Sequence, residues 1–391
     1  MKKRFFKLAS VFLSISIILG QSVIALAGMG DEISANASPQ DDLALACPRA
    51  VLGDYETGEI LYSKSPDEKC SIASITKIMT LILVAEALEN GEISLGDEVC
   101  CSREASSMGG SQIWLKEGEK MTVEQLIKAV SISSANDAAY ALAEHIKSSH
   151  SAFVNAMNKK AKAIGMENTS FKNCTGLDEE GHYSTARDVF LMSRELLSHS
   201  SILTYSKIWM DSLRDGKTSL VNTNRLIRFY KGATGLKTGT TDKAGCCLSA
   251  SASRDGLSLI SVTLGDKTSK ERFSSAKALL DYGFSEYAFF EPKRIDNELS
   301  AVKVCHGVSD LVSLYARYPK GIVIKKDEKS QLSQEISIEE KADAPIKRGD
   351  KLGSCNIYSG DKLILSYDIC ALDSVPRLSL GLAFKRLLGA I

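Results

Sequence analysis

The segment Ser71-Ile-Ala-Ser74-Ile-Thr-Lys77-Ile-Met-Thr-Leu-Ile-Leu-Val-Ala-Glu86 constrains this chain more than any other. From Ile75 to Ala85 it is almost wholly apolar, with Lys77 inside it. A helix that is hydrophobic on nearly every side is a buried one. Burying a lysine is costly unless the amine loses its proton or finds partners. Ser74 lies three residues earlier, so on a helix its hydroxyl and the amine share one face. A hydroxyl beside a desolvated amine is a serine nucleophile with its base attached. The segment alone equally allows Ser74 as a helix cap and Lys77 as a cation snorkelling to water.

A chain of 391 residues can build the core this helix needs, and its length fits two domains. Met1-Lys-Lys-Arg-Phe-Phe-Lys7 followed by the uncharged run Leu8–Leu26 reads as a signal peptide over residues 1–27. An uncleaved span is the alternative, because the run approaches the ~20 residues that cross a bilayer. Either way the body is expected to be exported. Removing residues 1–27 takes away Lys2, Lys3, Arg4 and Lys7 and no acid, leaving 44 basic residues against 48 acidic. That balance gives no support to nucleic-acid binding. The ten cysteines show no repeated C-x-x-C spacing, which argues against a zinc or redox motif. Their pairing is left open.

Residues 28–44 read as a loose leader. Gly53-Asp-Tyr-Glu-Thr-Gly58 joins two strand-like runs as a hairpin, and Asn90-Gly91 stops the Ser74 helix. Helical signals dominate from about 93 to 230, including the capping box Thr122-Val-Glu-Gln125. Strand-like runs follow at 236–241, 245–253 and 257–264, and a helix at 274–284. The expected fold class is therefore α/β: an antiparallel sheet with flanking helices and an inserted helical subdomain, over residues 45–291. Residues 292–373 alternate in short strands and read as a small all-β domain beyond Pro292. In residues 374–391, Leu380, Phe384, Leu387, Leu388 and Ile391 share one helical face, with Arg377, Lys385 and Arg386 as the basic side. Such a helix fits a membrane interface or docks on its own domain.

Three short motifs stand in order. Ser74-x-x-Lys77 opens the buried helix, Ser134-Ala-Asn136 joins two helices of the inserted block, and Lys237-Thr238-Gly239 lies on a strand. Spacing alone carries little weight, since S-x-x-K recurs at Ser274–Lys277 and S-x-N at Ser34–Asn36. Acyl transfer at neutral pH needs a serine, a base and donors for an oxyanion. Ser74 would attack, Lys77 take its proton, and Ser134 pass a proton to the leaving amine. Asn136 would hold the substrate backbone or Lys77. Lys237 would supply positive potential and depress the pKa of Lys77. Gly239 would let a substrate strand lie against the sheet edge, and the N–H groups of Ser74 and Thr240 would form the oxyanion hole. Taken singly, Ser134 and Asn136 also read as helix caps, and Lys237 as an exposed strand lysine.

The trio is the signature of penicillin-binding proteins and class A β-lactamases. Over roughly residues 45–375 the chain resembles serine-type D-alanyl-D-alanine carboxypeptidases, the low-molecular-weight penicillin-binding proteins. Beyond the trio, Ser133-Ser-Ala-Asn-Asp-Ala-Ala139, Asn173-Cys-Thr-Gly-Leu177 with His182, Asn222-Thr-Asn224, Gly235–Gly245 and Ala344–Asp350 are similar to the family's. The resemblance implies a penicillin-recognising transpeptidase fold, removal of the terminal D-alanine from peptidoglycan stem pentapeptides, and covalent inhibition by β-lactams. It implies no metal and no cofactor. It makes Ser74, Lys77 and Ser134 catalytic, with Asn136, Lys237, Thr238, Gly239, Thr240 and Arg272 binding substrate. Arg272 falls where the family carries an arginine near the terminal carboxylate, and a surface ion pair is its plain alternative. The family's C-terminal anchor agrees with the last helix and places the enzyme on the outer face of the bacterial cytoplasmic membrane. A class A β-lactamase would need an E-x-x-x-N motif, and no Asn between Asn136 and Lys237 has a Glu four residues before it. A wall-binding protein with a decayed site is the non-enzymatic rival.

Overall fold

The computed structural model describes residues 43–147, 149–329 and 331–388. The expected signal peptide and nearly all of the leader lie outside the described residues. Five strands form the central antiparallel sheet: β1 (Arg49–Asp54), β2 (Ile60–Lys64), β3 (Ala233–Thr241), β4 (Gly245–Arg254) and β5 (Leu257–Asp266), in the order β2-β1-β5-β4-β3. Side chains of a strand alternate between faces, and here both faces are apolar. Val51, Ile260, Val262 and Leu264 enter one core, while Leu52, Leu248, Leu257 and Leu259 enter another. Each such fully buried side chain contributes roughly 1.5–3 kcal/mol.

The first core holds the helices α1 (Lys77–Glu89), α2 (Val123–Ser133), α3 (Asn136–Ile146), α4 (His150–Ala163) and α5 (Ala186–Ser198). Ten of the 13 residues of α1 are buried, Lys77 among them, so the all-round apolar segment is the central helix it promised to be. Thr122 and Gln125 form the expected capping box of α2. On the other face, α6 (Ser269–Glu286) lays Ala276, Leu279 and Leu280 against the sheet. It begins five residues before the expected Ser274, because Thr268 and Glu271 make a second capping box. Ser74 is not on α1 itself but in a 3-10 turn, Ala73–Thr76, that feeds into it.

Beyond Phe290 a three-stranded and a four-stranded sheet enclose a third core around Val302, Ile357 and Ile369. A 3-10 turn, Asp296–Glu298, and a four-residue helix, Lys326–Lys329, interrupt this mainly β body. Pro292 is not a clean border. Tyr287–Phe290 pairs antiparallel with Ile322–Lys325, and Val323 packs into the core beneath the central sheet. The last element is the helix α7 (Leu380–Leu387). Ile391 and the Leu387 side chain of the expected stripe, and the Lys385 and Arg386 side chains of its expected basic side, lie outside the described residues. Among the described residues no helix is long and apolar enough to cross a membrane. All ten cysteines are free thiols, seven of them buried.

Candidate active site

Ser74 sits between two glycines that hold its turn. A Cβ on Gly176 would lie 1.9 Å from the Ala73 carbonyl oxygen, and one on Gly239 would lie 2.8 Å from Ile72 O and 3.0 Å from Ser74 N. Gly239 is therefore bare because the protein's own Ile72–Ser74 backbone passes there, rather than to admit a substrate strand. The preceding Ala73 is held at φ +47°, a left-handed conformation that costs a non-glycine residue about 1–3 kcal/mol. Packing against two backbones without Cβ atoms keeps the turn in that state.

Lys77 is completely buried. Its Nζ lies 2.9 Å from Ser74 Oγ, 2.5 Å from Asn136 Oδ1 and 2.7 Å from the Thr175 carbonyl. Burial pulls its pKa down to about 7, with the nearby Cys174 and Asp137 opposing. Two of the three contacts are carbonyl oxygens, which only accept. A neutral amine satisfies both with its two N–H groups and turns its lone pair to the hydroxyl of Ser74. The arrangement thus suits proton transfer from Ser74 to Lys77.

Ser134 ends α2 at φ +64° and is buried. Its hydroxyl makes no hydrogen bond among the described residues. Neither Ser134 nor Asn136 caps α3, whose N-cap is Ala135 without a side-chain bond. Asn136 instead spans the cleft floor: Oδ1 receives Lys77, and Nδ2 donates to Gly109 O at 2.6 Å. That second bond fixes which way the amide faces. Asp137, also fully buried, accepts the backbone N–H groups of Ile113, Leu115 and Ala138 and so fastens the 109–115 loop beside it.

Lys237 is 1% exposed, which removes the reading of an exposed strand lysine. Its Nζ donates to Thr238 O at 3.0 Å, and Thr238 Oγ1 donates to Thr223 Oγ1 at 2.7 Å. Burial holds its pKa well below the usual lysine value, with repulsion from Lys77 and Arg272 adding to the effect. The sequence reading has Lys237 depressing Lys77. In the structure burial does that, and the repulsion between the amines registers at Lys237. Such repulsion is mutual, so charging one amine disfavours charging the other.

Strand β3 ends the sheet order, which leaves an edge able to take an extended peptide. Near its end, Arg272 Nη1 donates to Gly239 O and Thr240 Oγ1 at 3.1 and 3.0 Å, and Nη2 to Ser269 Oγ at 3.1 Å. The guanidinium is buried, its Nε has no partner, and no carboxylate pairs with it among the described residues. The surface ion pair is thus not found. A buried cation without a counter-ion is costly and well suited to an incoming carboxylate.

Hydrogen bonds and close backbone approach thus link Ser74, Lys77 and Asn136 to Gly239, Thr240 and Arg272, with Lys237 and Thr238 on the same strand. Ser134 lies two residues before Asn136 and makes no hydrogen bond to the others. Reading the sequence missed the carbonyls of Thr175 and Gly109, which anchor Lys77 and Asn136, and missed Gly176. Asn173 Oδ1 organises the Thr175 loop by accepting Thr175 N and Gly176 N, and the motif Asn173–Leu177 was the one signal available for it.

The chain is similar to known proteins along most of its length. A D-alanyl-D-alanine carboxypeptidase family model (peptidase family S11) matches residues 34–268, and the C-terminal domain of penicillin-binding protein 5 matches residues 290–377. The D-alanyl-D-alanine carboxypeptidase DacF of Bacillus subtilis is 41% identical over 352 residues, covering 89% of this chain and 90% of its own. The crystal structure of penicillin-binding protein 5 from Haemophilus influenzae superposes with a TM-score of 0.75 at 30% identity, covering 87% of this chain and 99% of that one. Penicillin-binding protein D2 from Listeria monocytogenes, in its ampicillin-bound form, covers 62% of this chain and all of its own at 34% identity and a TM-score of 0.58. Matched across both bodies, the chain belongs to the serine-type D-alanyl-D-alanine carboxypeptidases, the penicillin-binding proteins of family S11.

Proposed function

We propose that this protein removes the terminal D-alanine from peptidoglycan stem pentapeptides through an acyl-enzyme on Ser74, and that β-lactams acylate the same serine. The buried Lys77 amine, 2.9 Å from Ser74 Oγ with its other contacts on acceptors, is the observation that carries the reading. Neutral Lys77 takes the Ser74 proton as Oγ bonds to the carbonyl carbon of the penultimate D-alanine. The resulting oxyanion faces the N–H groups of Ser74 and Thr240. The C–N bond then breaks, and the amine of the terminal D-alanine departs with a proton passed on through Ser134. Arg272, with Thr238 and Thr240, receives the free carboxylate, and Lys237 adds positive potential. Water then attacks the acyl ester, releasing the shortened peptide and restoring Ser74. No step calls for a metal or cofactor. A β-lactam enters the same path, but its opened ring stays attached and the ester persists.

The basic leader and uncharged run at the N-terminus support export, and the α7 stripe supports attachment to the outer face of the cytoplasmic membrane. Mass spectrometry tests the chemistry, after penicillin and after a pentapeptide ending in D-Ala-D-Ala. The expected result is one penicilloyl group on Ser74, loss of one alanine from the peptide, and neither event in a folded Ser74→Ala variant. Labelling that survives in Ser74→Ala would refute the nucleophile, and rapid turnover of penicillin would favour a β-lactamase.

A further inference from the structure

At the end of α1 away from Lys77, a second polar cluster joins three helices. Lys160 of α4 bridges Glu86 of α1 at 2.7 Å and Glu195 of α5 at 2.5 Å. His199, directly after α5, is 7% exposed, and its Nδ1 lies 3.0 Å from both carboxylate oxygens of Glu89. The ionic triad accounts for Lys160, Glu86 and Glu195 but not for the other side of the imidazole. His199 Nε2 is buried without a hydrogen-bond partner. Glu195 Oε1 is 3.9 Å away, beyond hydrogen-bond reach. A buried polar atom left without a partner is costly, and an ion is one of the standard explanations for such an atom.

Glu89 accepts from Nδ1–H, which leaves Nε2 as the free nitrogen of the imidazole on the side of Glu195. A carboxylate behind an imidazole whose far nitrogen is free is the second-shell arrangement of metal-binding histidines. One ligand atom each from Glu86, Glu195 and His199 lie within 4.8 Å of one another. We propose that these three form a binding site for a divalent transition metal, zinc best of all, with Lys160 as a resident competitor that neutralises the carboxylates in its place. One imidazole and two carboxylates with an open fourth position match zinc, whereas magnesium and calcium prefer oxygen ligands alone. Glu86 and Glu195 are partly exposed, so their side chains can close on an ion once Lys160 swings to water. Glu86 lies nine residues after Lys77, about 13 Å along the helix. The ion would clamp α1 to α5 without touching the reacting groups.

Titration of the chelator-stripped full chain with cobalt(II) and then zinc tests the site. The expected result is one cobalt per chain, with d–d absorption but no thiolate-to-cobalt charge transfer, displacement by zinc, and a raised melting temperature with zinc bound. Glu195→Gln and His199→Asn should abolish uptake, and Glu89→Gln should weaken it roughly 10–100-fold. Lys160→Met should tighten it. The partly exposed Glu195 keeps the test open should His199→Asn not fold. Absence of uptake by the parent chain, uptake indifferent to Glu195→Gln, a thiolate charge-transfer band, or a Lys160→Met variant that binds no tighter would each overturn the proposal.

Discussion

With its pKa brought to about 7 by burial, Lys77 is divided between amine and ammonium at neutral pH, and only the amine accepts a proton from Ser74. Acylation should therefore fall as pH drops below about 7 and level off above it. The second-order rate of penicillin acylation between pH 5 and 9 measures this, and a flat profile would take Lys77 out of the base role. Lys77→Ala should slow acylation by roughly 10²–10⁴-fold, the usual worth of a general base. At this scale the sequence was informative because chemistry and burial coincide in one segment. The second S-x-x-K shows the difference: Ser274 and Lys277 are both exposed on α6, with no buried partners around them among the described residues. What stayed hidden were partners supplied by backbone. Any residue can offer a carbonyl, so nothing in the letters at 109 and 175 marks them as the acceptors for Asn136 and Lys77.

The 3-10 turn Ala73–Thr76 positions the nucleophile relative to β3, and Gly239 sets their separation. An alanine there would meet Ile72 O at 2.8 Å and Ser74 N at 3.0 Å, both backbone atoms that yield only by moving the turn. A displacement of that kind far outweighs the added methyl, since about 1 Å of misplacement can cost on the order of 10²-fold in rate. Gly239→Ala should thus fold, melt cooperatively and acylate on the order of 10²-fold more slowly. Wild-type acylation in that variant would show that the spacing of turn and strand does not matter. Elements with local signals were legible: the Thr122–Gln125 capping box and the Asp255-Gly256 hairpin turn both appear where the residues put them. The turn at Ser74 was not, because its left-handed Ala73 is imposed by Gly176 and Gly239, about 100 and 165 residues further along. The early start of α6 had a signal, Thr268 to Glu271, which apolar periodicity alone passes over.

On the scale of the whole molecule, the two-body organisation was visible as a change of period, from helical to alternating, near Pro292. The ribbon of Tyr287–Phe290 with Ile322–Lys325 was not, since strand partners so far apart leave no mark on either segment. The same limit applies to the C-terminus, where periodicity announces a helix but not what it covers. Here the contacts decide where the β body stops. Val308 N donates to Pro376 O at 2.9 Å and Leu378 N to His306 O at 2.7 Å, so the chain is part of that body as far as Leu378. Beyond it, Leu380, Phe384 and Leu388 are 92%, 63% and 67% exposed and fall four apart, on one face. Three such side chains entering a bilayer interface would contribute roughly 1.5–3 kcal/mol each, enough for reversible attachment, which anionic lipid should strengthen given the basic residues in the sequence of this segment. The expected outcome is that the chain floats with anionic vesicles on a density gradient, and that removing residues 379–391 leaves it at the bottom with pentapeptide cleavage intact. Ending the truncation at Leu378 matters, because cutting at Arg377 would also break the β body's own bonds. Replacing Phe384 with Asp should weaken flotation and leave activity alone. A truncated chain that floats like the parent would assign membrane attachment to some other part of the molecule.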